Sequence, residues 1–311
     1  MTTEAILARH THLRGTLSYR HFDSEALGIA KPYYVYEPEG YADLERLPIW
    51  YLLRGHEREW VNFHEDSSRQ FSTAIEDLEA LIARGEVPPT LVVLPGLNSD
   101  DNVVPSIGID MGGEWPDHMA SLGQGRFFKY LVDELIPAID IEYPQAYEGI
   151  RAVGGFSLGG FTASLLATFH PGYFDHVAIY DGTMMWPGHI DPRLGEGQED
   201  RIWGHHAIFN AALGHAPRDT ALLQRWNPTD AINNATESVL AQLRLTTYWI
   251  ASADGDGMRG NRDRCQQFAD LLHSKEIPLG FGTAPMGLMP GAAHTWHFCD
   301  LFWARVLQAM P

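Results

Sequence analysis

Residues 150–170 read Ile-Arg-Ala-Val-Gly-Gly-Phe-Ser-Leu-Gly-Gly-Phe-Thr-Ala-Ser-Leu-Leu-Ala-Thr-Phe-His, an apolar strand-like run that becomes a helical pattern with one serine at the crossing. A chain that turns straight from strand to helix brings the side chains two positions either side of the crossing residue close to collision. Gly155 and Gly159 remove those side chains. The turn raises the Ser157 hydroxyl above a sheet and starts a helix beneath it, so the N–H of Leu158 and the positive helix end face the hydroxyl. The competing reading is a plain packing turn or half of a dinucleotide fingerprint, which normally sits in the first βαβ unit with an acidic residue closing the next strand. Here the motif falls mid-chain, although Asp181 does follow the next strand.

The rest of the chain alternates in the same manner. Strand patterns occupy residues 16–22, 31–36, 47–53, 90–94, 150–156, 176–180, 246–251 and 279–283. Helical patterns occupy 68–84, 126–135, 158–169, 261–273 and 296–310. In the first helix Phe71, Ile75, Leu78 and Ile82 fall at helical spacing while Glu76, Asp77 and Glu79 face outward. This rhythm predicts a mainly parallel sheet covered on both faces, with chemistry beyond the carboxyl ends of the strands. The polar, glycine-rich segment 97–124 is of the length that is commonly functional. Residues 183–237 interrupt the alternation with tryptophan, histidine and proline, and read as a pocket-shaping insertion carrying short helices at 207–213 and 220–226. No linker divides the 311 residues, which reads as one domain.

A serine hydroxyl becomes a useful nucleophile only when an imidazole takes its proton and an acid holds that imidazole in the right tautomer. Among fifteen histidines, His294 is singled out by its small-residue loop just before the last helix; His297 lies one turn inside that helix. For the acid, Asp254 stands just beyond the strand 246–251 and is the first choice, with Asp256 second and Asp181 third. The same stretch fails as a calcium loop, because Met258, Arg259 and Cys265 stand where ligands and the turn glycine belong. A second oxyanion donor is expected after an earlier strand, where Arg54-Gly55-His56 offers the N–H of His56 to act with that of Leu158. Gly55 also has the simpler reading of a turn residue. His205, His206, His215 and Asp200 match no standard zinc spacing, so no metal is expected. Of Trp60, Trp186, Trp203, Trp226 and Trp296, the last is the preferred pocket residue, being two positions from His294.

The formal charge of −18 opposes a phosphate-backbone partner, which needs a basic surface. With 45% hydrophobic and 20% charged residues and no long apolar run, nothing in the sequence reads as membrane-spanning. Cys265 and Cys299 make no disulfide framework, and the first residues lack a secretory pattern, so the expectation is cytoplasmic residence.

Several motifs together resemble the esterase family of α/β-hydrolases that includes esterase D-like enzymes, feruloyl esterases and antigen 85-type mycolyltransferases. They are Tyr51-Leu-Leu-Arg-Gly55, the elbow from Gly155 to Gly160, His170-Pro-Gly-Tyr-Phe174, Ala251-Ser-Ala-Asp254 and His294-Thr-Trp296. The resemblance implies an α/β-hydrolase fold with the insertion after the sixth strand. It also implies a serine esterase acting through an acyl-enzyme on small or aryl esters, with Ser157, Asp254 and His294 as its triad and no cofactor. Acyl transfer to an alcohol and a silent binding module are the alternatives. Two positions depart from the family pattern. Arg54 replaces the usual His or Asp, bringing a positive side chain near the substrate pocket, and Asp181-Gly182 stands where Ser-Gly is common.

Overall fold

The computed structural model describes residues 1–115, 117–254, 260–282, 289 and 291–310. Among them seven strands form one sheet: β1 Thr16–Ser24, β2 Ile29–Glu37, β3 Ile49–Leu53, β4 Leu91–Pro95, β5 Arg151–Phe156, β6 His176–Tyr180 and β7 Thr247–Ala251. Their spatial order is β1-β2-β4-β3-β5-β6-β7. β1 and β2 form an antiparallel hairpin, β2 runs antiparallel to β4, and β4 to β7 are mutually parallel. Every residue of β3, β4 and β6 is buried, as parallel strands covered on both faces require. The expected strand at 279–283 is reduced to one bridge, Tyr248 to Leu279, with residue 283 outside the described residues. Gly280 lies flat on the Trp249 indole there, where a Cβ would come within 2.3 Å of the ring, so the chain skims the sheet edge rather than extending it.

Helices cover both faces. Leu158–Phe169 and Asn261–Ser274 pack with Val153, Val177 and Ile250 on one side, while Ala74–Ala83 and Trp296–Ala309 pack with Trp50, Leu52 and Val92 on the other. The helix expected at 68–84 begins only at Ala74. Thr73 caps it, with the Glu76 carboxylate accepting the Thr73 N–H (2.7 Å), and this stop leaves Phe71 outside the helix and exposed. The helix expected at 126–135 opens into a π-helix at Tyr130–Leu135 and continues as Ile136–Glu142. Pro137 has no N–H to return to the carbonyl four residues earlier, and the wider turn accommodates that missing bond. The helix Leu158–Phe169 is buried almost all round because it lies between the sheet and the segment 183–237. No helix of the described residues is long and apolar enough to cross a membrane.

Candidate active site

Ser157 sits between β5 and the helix Leu158–Phe169 with φ 57° and ψ −115°, a conformation an L-residue rarely adopts. The strain is held by three bonds: its N–H donates to Tyr180 O (3.0 Å), and its carbonyl accepts from the N–H groups of Phe161 (3.2 Å) and Thr183 (3.2 Å). The glycines act through close approach. A Cβ on Gly155 would stand 2.1 Å from the Gly159 carbonyl carbon, and one on Gly159 would stand 1.9 Å from Leu53 O. Both obstacles are backbone, so neither can swing aside. Gly159→Ala is therefore expected to destabilise the fold by about 3 kcal/mol or more. A urea titration reading a loss under about 1 kcal/mol would show the elbow to be looser than this.

Ser157 opens onto a cavity of about 200 Å³ that His294, Arg54, Glu59, Asn98 and Leu158 also line. Leu158 is the first residue of its helix, where the amide has no acceptor within the helix. The His294 ring lies 4.5 Å from that of Phe156, centroid to centroid, and its Nδ1 bonds to Asp181 Oδ2. A carboxylate can only accept, so Nδ1 carries the proton and Nε2 remains as the basic nitrogen. Asp181 follows β6 with φ 46° and is 1% exposed. Its other carboxylate oxygen accepts from Ala253 N–H (3.0 Å), and its backbone carbonyl accepts from Asn261 Nδ2 (2.8 Å). The loop bearing His294 is tied down further by Tyr180, whose hydroxyl donates to Ala293 O (2.6 Å).

Asp254, the first choice for the acid, has a different place. It is exposed, its carboxylate accepts from Gly291 N–H (3.1 Å), and its own N–H donates to Ala292 O (2.8 Å). It staples the loop that carries His294 instead of touching the imidazole. Asp181 is the residue directly after β6, the neighbour of β5, whereas Asp254 stands past the end of β7 with its carboxylate and amide already taken by Gly291 and Ala292. The Asp181-Gly182 departure in the sequence was the signal for it. Asp256 lies outside the described residues.

The second oxyanion donor also departs from expectation. The His56 N–H is donated to Glu59 Oε1 (2.8 Å) within a tight turn that Glu59 N–H to His56 O (3.2 Å) closes. The His56 imidazole pairs with Glu57 (2.9 Å) and lines a separate hollow beside Lys31. Lys31 itself is buried, which pushes its pKa down to about 8, and it donates to Asn98 O (2.7 Å) and Ser121 O (2.8 Å). Glu59 is buried, and burial pushes its carboxyl upward against the opposing pull of Arg54. Arg54 faces the cavity as its position after β3 suggested, with Nε 3.5 Å from Glu59 Oε2 and its charge centre 5.3 Å from the Phe156 ring.

Trp296 is not a wall of the cavity. It is 4% exposed and packs edge-on against Trp60 and Phe156, both at 5.1 Å, beneath the Arg69 guanidinium at 4.4 Å. Arg69 grips Asp300 through two bonds (2.7 and 3.0 Å) and donates to Glu59 O (2.8 Å) and Asn62 O (2.7 Å), clamping the turn after β3 to the closing helix. Burial pushes the Asp300 carboxyl up to about 6 despite the arginine. The residues weighed for zinc are engaged separately: His205 with Glu199 (3.0 Å), His215 with Asn210 (3.1 Å), and Asp200 with Arg264 (2.6 and 2.8 Å), while His206 accepts from Ile208 N–H (3.2 Å). Beyond the cavity an apolar hollow of about 540 Å³ is walled by Val104, Trp115, Met119 and Ala211 and shares Val103 and Ile208 with it. Trp115, in the polar segment 97–124, is the pocket aromatic that sequence reasoning missed, since one indole among loop residues carries no periodic signal.

None of the curated proteins matches the chain in sequence. Among solved structures, a ferulic acid esterase superposes with a TM-score of 0.66 at 17% identity, covering 96% of this chain and 98% of its own. The S-formylglutathione hydrolase of Agrobacterium tumefaciens gives 0.65 at 19% identity, covering 96% of each chain. A ferulic acid esterase of Anaeromyces mucronatus gives 0.58 at 16% identity, over 94% of this chain and 90% of its own. Such identities establish the fold, which is that of the α/β-hydrolases. The family model described as "Putative esterase" matches residues 24–285, a span that holds the elbow, β6 and β7. A match over that share of the sequence means that the chain belongs to this esterase family.

Proposed function

We propose that the chain is a serine carboxylic-ester hydrolase in which Ser157 is the nucleophile, His294 the proton carrier and Asp181 its orienting acid. The observation that supports this reading best is the His294–Asp181 bond at a cavity that Ser157 also lines. Ser157 Oγ attacks the ester carbonyl as its proton passes to His294 Nε2, and the Asp181 carboxylate stabilises the resulting imidazolium. The developing oxyanion faces the Leu158 N–H and the positive end of the helix. Collapse of the tetrahedral intermediate expels the alcohol, which takes the proton from Nε2 and leaves an acyl-enzyme. Water then repeats the sequence, giving its proton to His294 and releasing the acid. The apolar hollow beyond Val103 and Ile208 suits an aryl or short alkyl part of the substrate. Both cysteines are free and buried, which suits a reducing compartment and the cytoplasm.

The assignment of the acid separates two residues by experiment. Asp181→Asn is expected to lower kcat by about 10³ to 10⁴ on any ester substrate, because the amide favours the wrong histidine tautomer. Asp254→Asn should leave kcat within about threefold, since its carboxylate only holds an exposed loop. The reverse pattern in steady-state assays would return the role to Asp254.

A further inference from the structure

We infer that Arg54 reads a carboxylate on the substrate, so that the preferred esters are monoanionic ones carrying a free carboxylate close to the reacting carbonyl. This inference rests on the esterase reading of the cavity and specifies its substrate class.

A guanidinium presents five N–H donors, and buried ones are costly to leave unmet. Two arginines buried deep in this fold place theirs on carboxylates and carbonyls, and Arg218, whose Nε is unmet, still donates through both Nη atoms. Arg69 holds Asp300 and two backbone carbonyls, and Arg264 holds Asp200 and Met184 O (2.8 Å). Arg54 is the contrast. Its side chain is 23% exposed, its Nε is buried with no hydrogen-bond partner, and Glu59 Oε2 stands 3.5 Å away as an ion-pair contact outside bonding geometry. The backbone there cannot retreat, because the Arg54 Cα packs against Gly159 in the first turn after the nucleophile. A donor-rich side chain is thus held in the wall of the Ser157 cavity by an ion-pair contact with Glu59 and makes no hydrogen bond among the described residues.

Glu59 offsets the arginine's charge while accepting the His56 amide, so Arg54 acts by contact and bidentate geometry rather than by long-range attraction. The net charge of −18 repels dianions most strongly, and a cavity of about 200 Å³ with a single guanidinium suits one carboxylate rather than a phosphate.

Two pairs of esters test this, each matched in shape and differing in charge. Ethyl hydrogen succinate is compared with ethyl 4-methylpentanoate, and O-acetylglycolate with isobutyl acetate, by pH-stat at fixed ionic strength. The purified protein is expected to favour the anionic member of at least one pair by about tenfold or more in kcat/KM, the size of one good charge-assisted contact. Arg54→Gln should erase that preference, read as the ratio of the anionic to the neutral ester's kcat/KM within the variant, and Arg54→Lys should keep part of it. A wild-type ratio near or below one in both pairs, or a preference that survives Arg54→Gln, overturns the inference. Because the wild-type ratio is itself decisive, a poorly folding variant would not protect it. Ser157→Ala on the neutral esters keeps the two readings apart: activity persisting there sinks the nucleophile assignment and says nothing of the carboxylate.

Discussion

Replacing Ser157 with alanine is expected to lower kcat on any ester substrate by about 10⁴ to 10⁶ without unfolding the protein. In the proposed reaction the hydroxyl is the atom that becomes acylated, and neither Phe156 nor Leu158 beside it carries a nucleophile. The fold should tolerate the change, because the bonds that hold the turn run through the Ser157 backbone, to Tyr180, Phe161 and Thr183, and not through its hydroxyl. The check is a steady-state assay beside a thermal melt, together with intact-mass detection of a fluorophosphonate adduct on the parent protein that the variant lacks. Near-normal turnover by the variant would reject the nucleophile. A variant that fails to melt cooperatively would show instead that the side chain supports the turn.

The second large effect concerns stability. Arg69→Met keeps the aliphatic volume but leaves Asp300 buried without its counter-charge, which is expected to cost about 3 to 5 kcal/mol. The sign of the pH dependence follows from the direction of the shift. Asp300 already stands at about 6 in the folded protein, above an unfolded aspartate at about 4. Removing Arg69 raises it further, so the stability it retains is full below the unfolded value and is lost as pH rises through the folded one. The deficit of the variant should therefore be greater at pH 8 than at pH 5 in urea titrations. Equal deficits at both would mean that the lost bonds to Glu59 O and Asn62 O, and not the stranded carboxylate, dominate. Arg69→Met with Asp300→Leu should recover part of the loss, since those two carbonyls stay unmet.

What the sequence made legible follows the range over which each feature is determined. The elbow is local: Gly155, Ser157 and Gly159 lie within five residues, and the collisions they avoid can be argued from chain geometry alone. The parallel core is nearly as legible, because uninterrupted apolar runs such as Leu91–Leu94 have few alternatives. The histidine loop was legible from its position before a helix. The carboxylate that meets it was not, because Asp181 and Asp254 both follow strands and only their tertiary contacts, one with His294 and the other with Gly291 and Ala292, separate them. The His56 amide misled for a similar reason. Its offset from Gly55 suited an oxyanion donor, while the carboxylate that takes the amide, Glu59, arrives through a turn with no motif of its own. Phe71 shows the opposite limit, a residue at helical spacing that lies outside the helix because the Thr73 and Glu76 cap stops it first.

The partition between the small cavity and the apolar hollow rests on Val103 and Ile208. One comes from the segment after β4 and the other from the segment after β6, and neither belongs to the sheet that presents Ser157 and Asp181. On the proposed reading, the apolar part of the selectivity and the reactivity are inherited on separate parts of the chain. Exchanging the two side chains for smaller or larger ones would merge or close the chambers without touching Ser157, His294 or Asp181, which on that reading makes this scaffold easy to redirect by drift or by design.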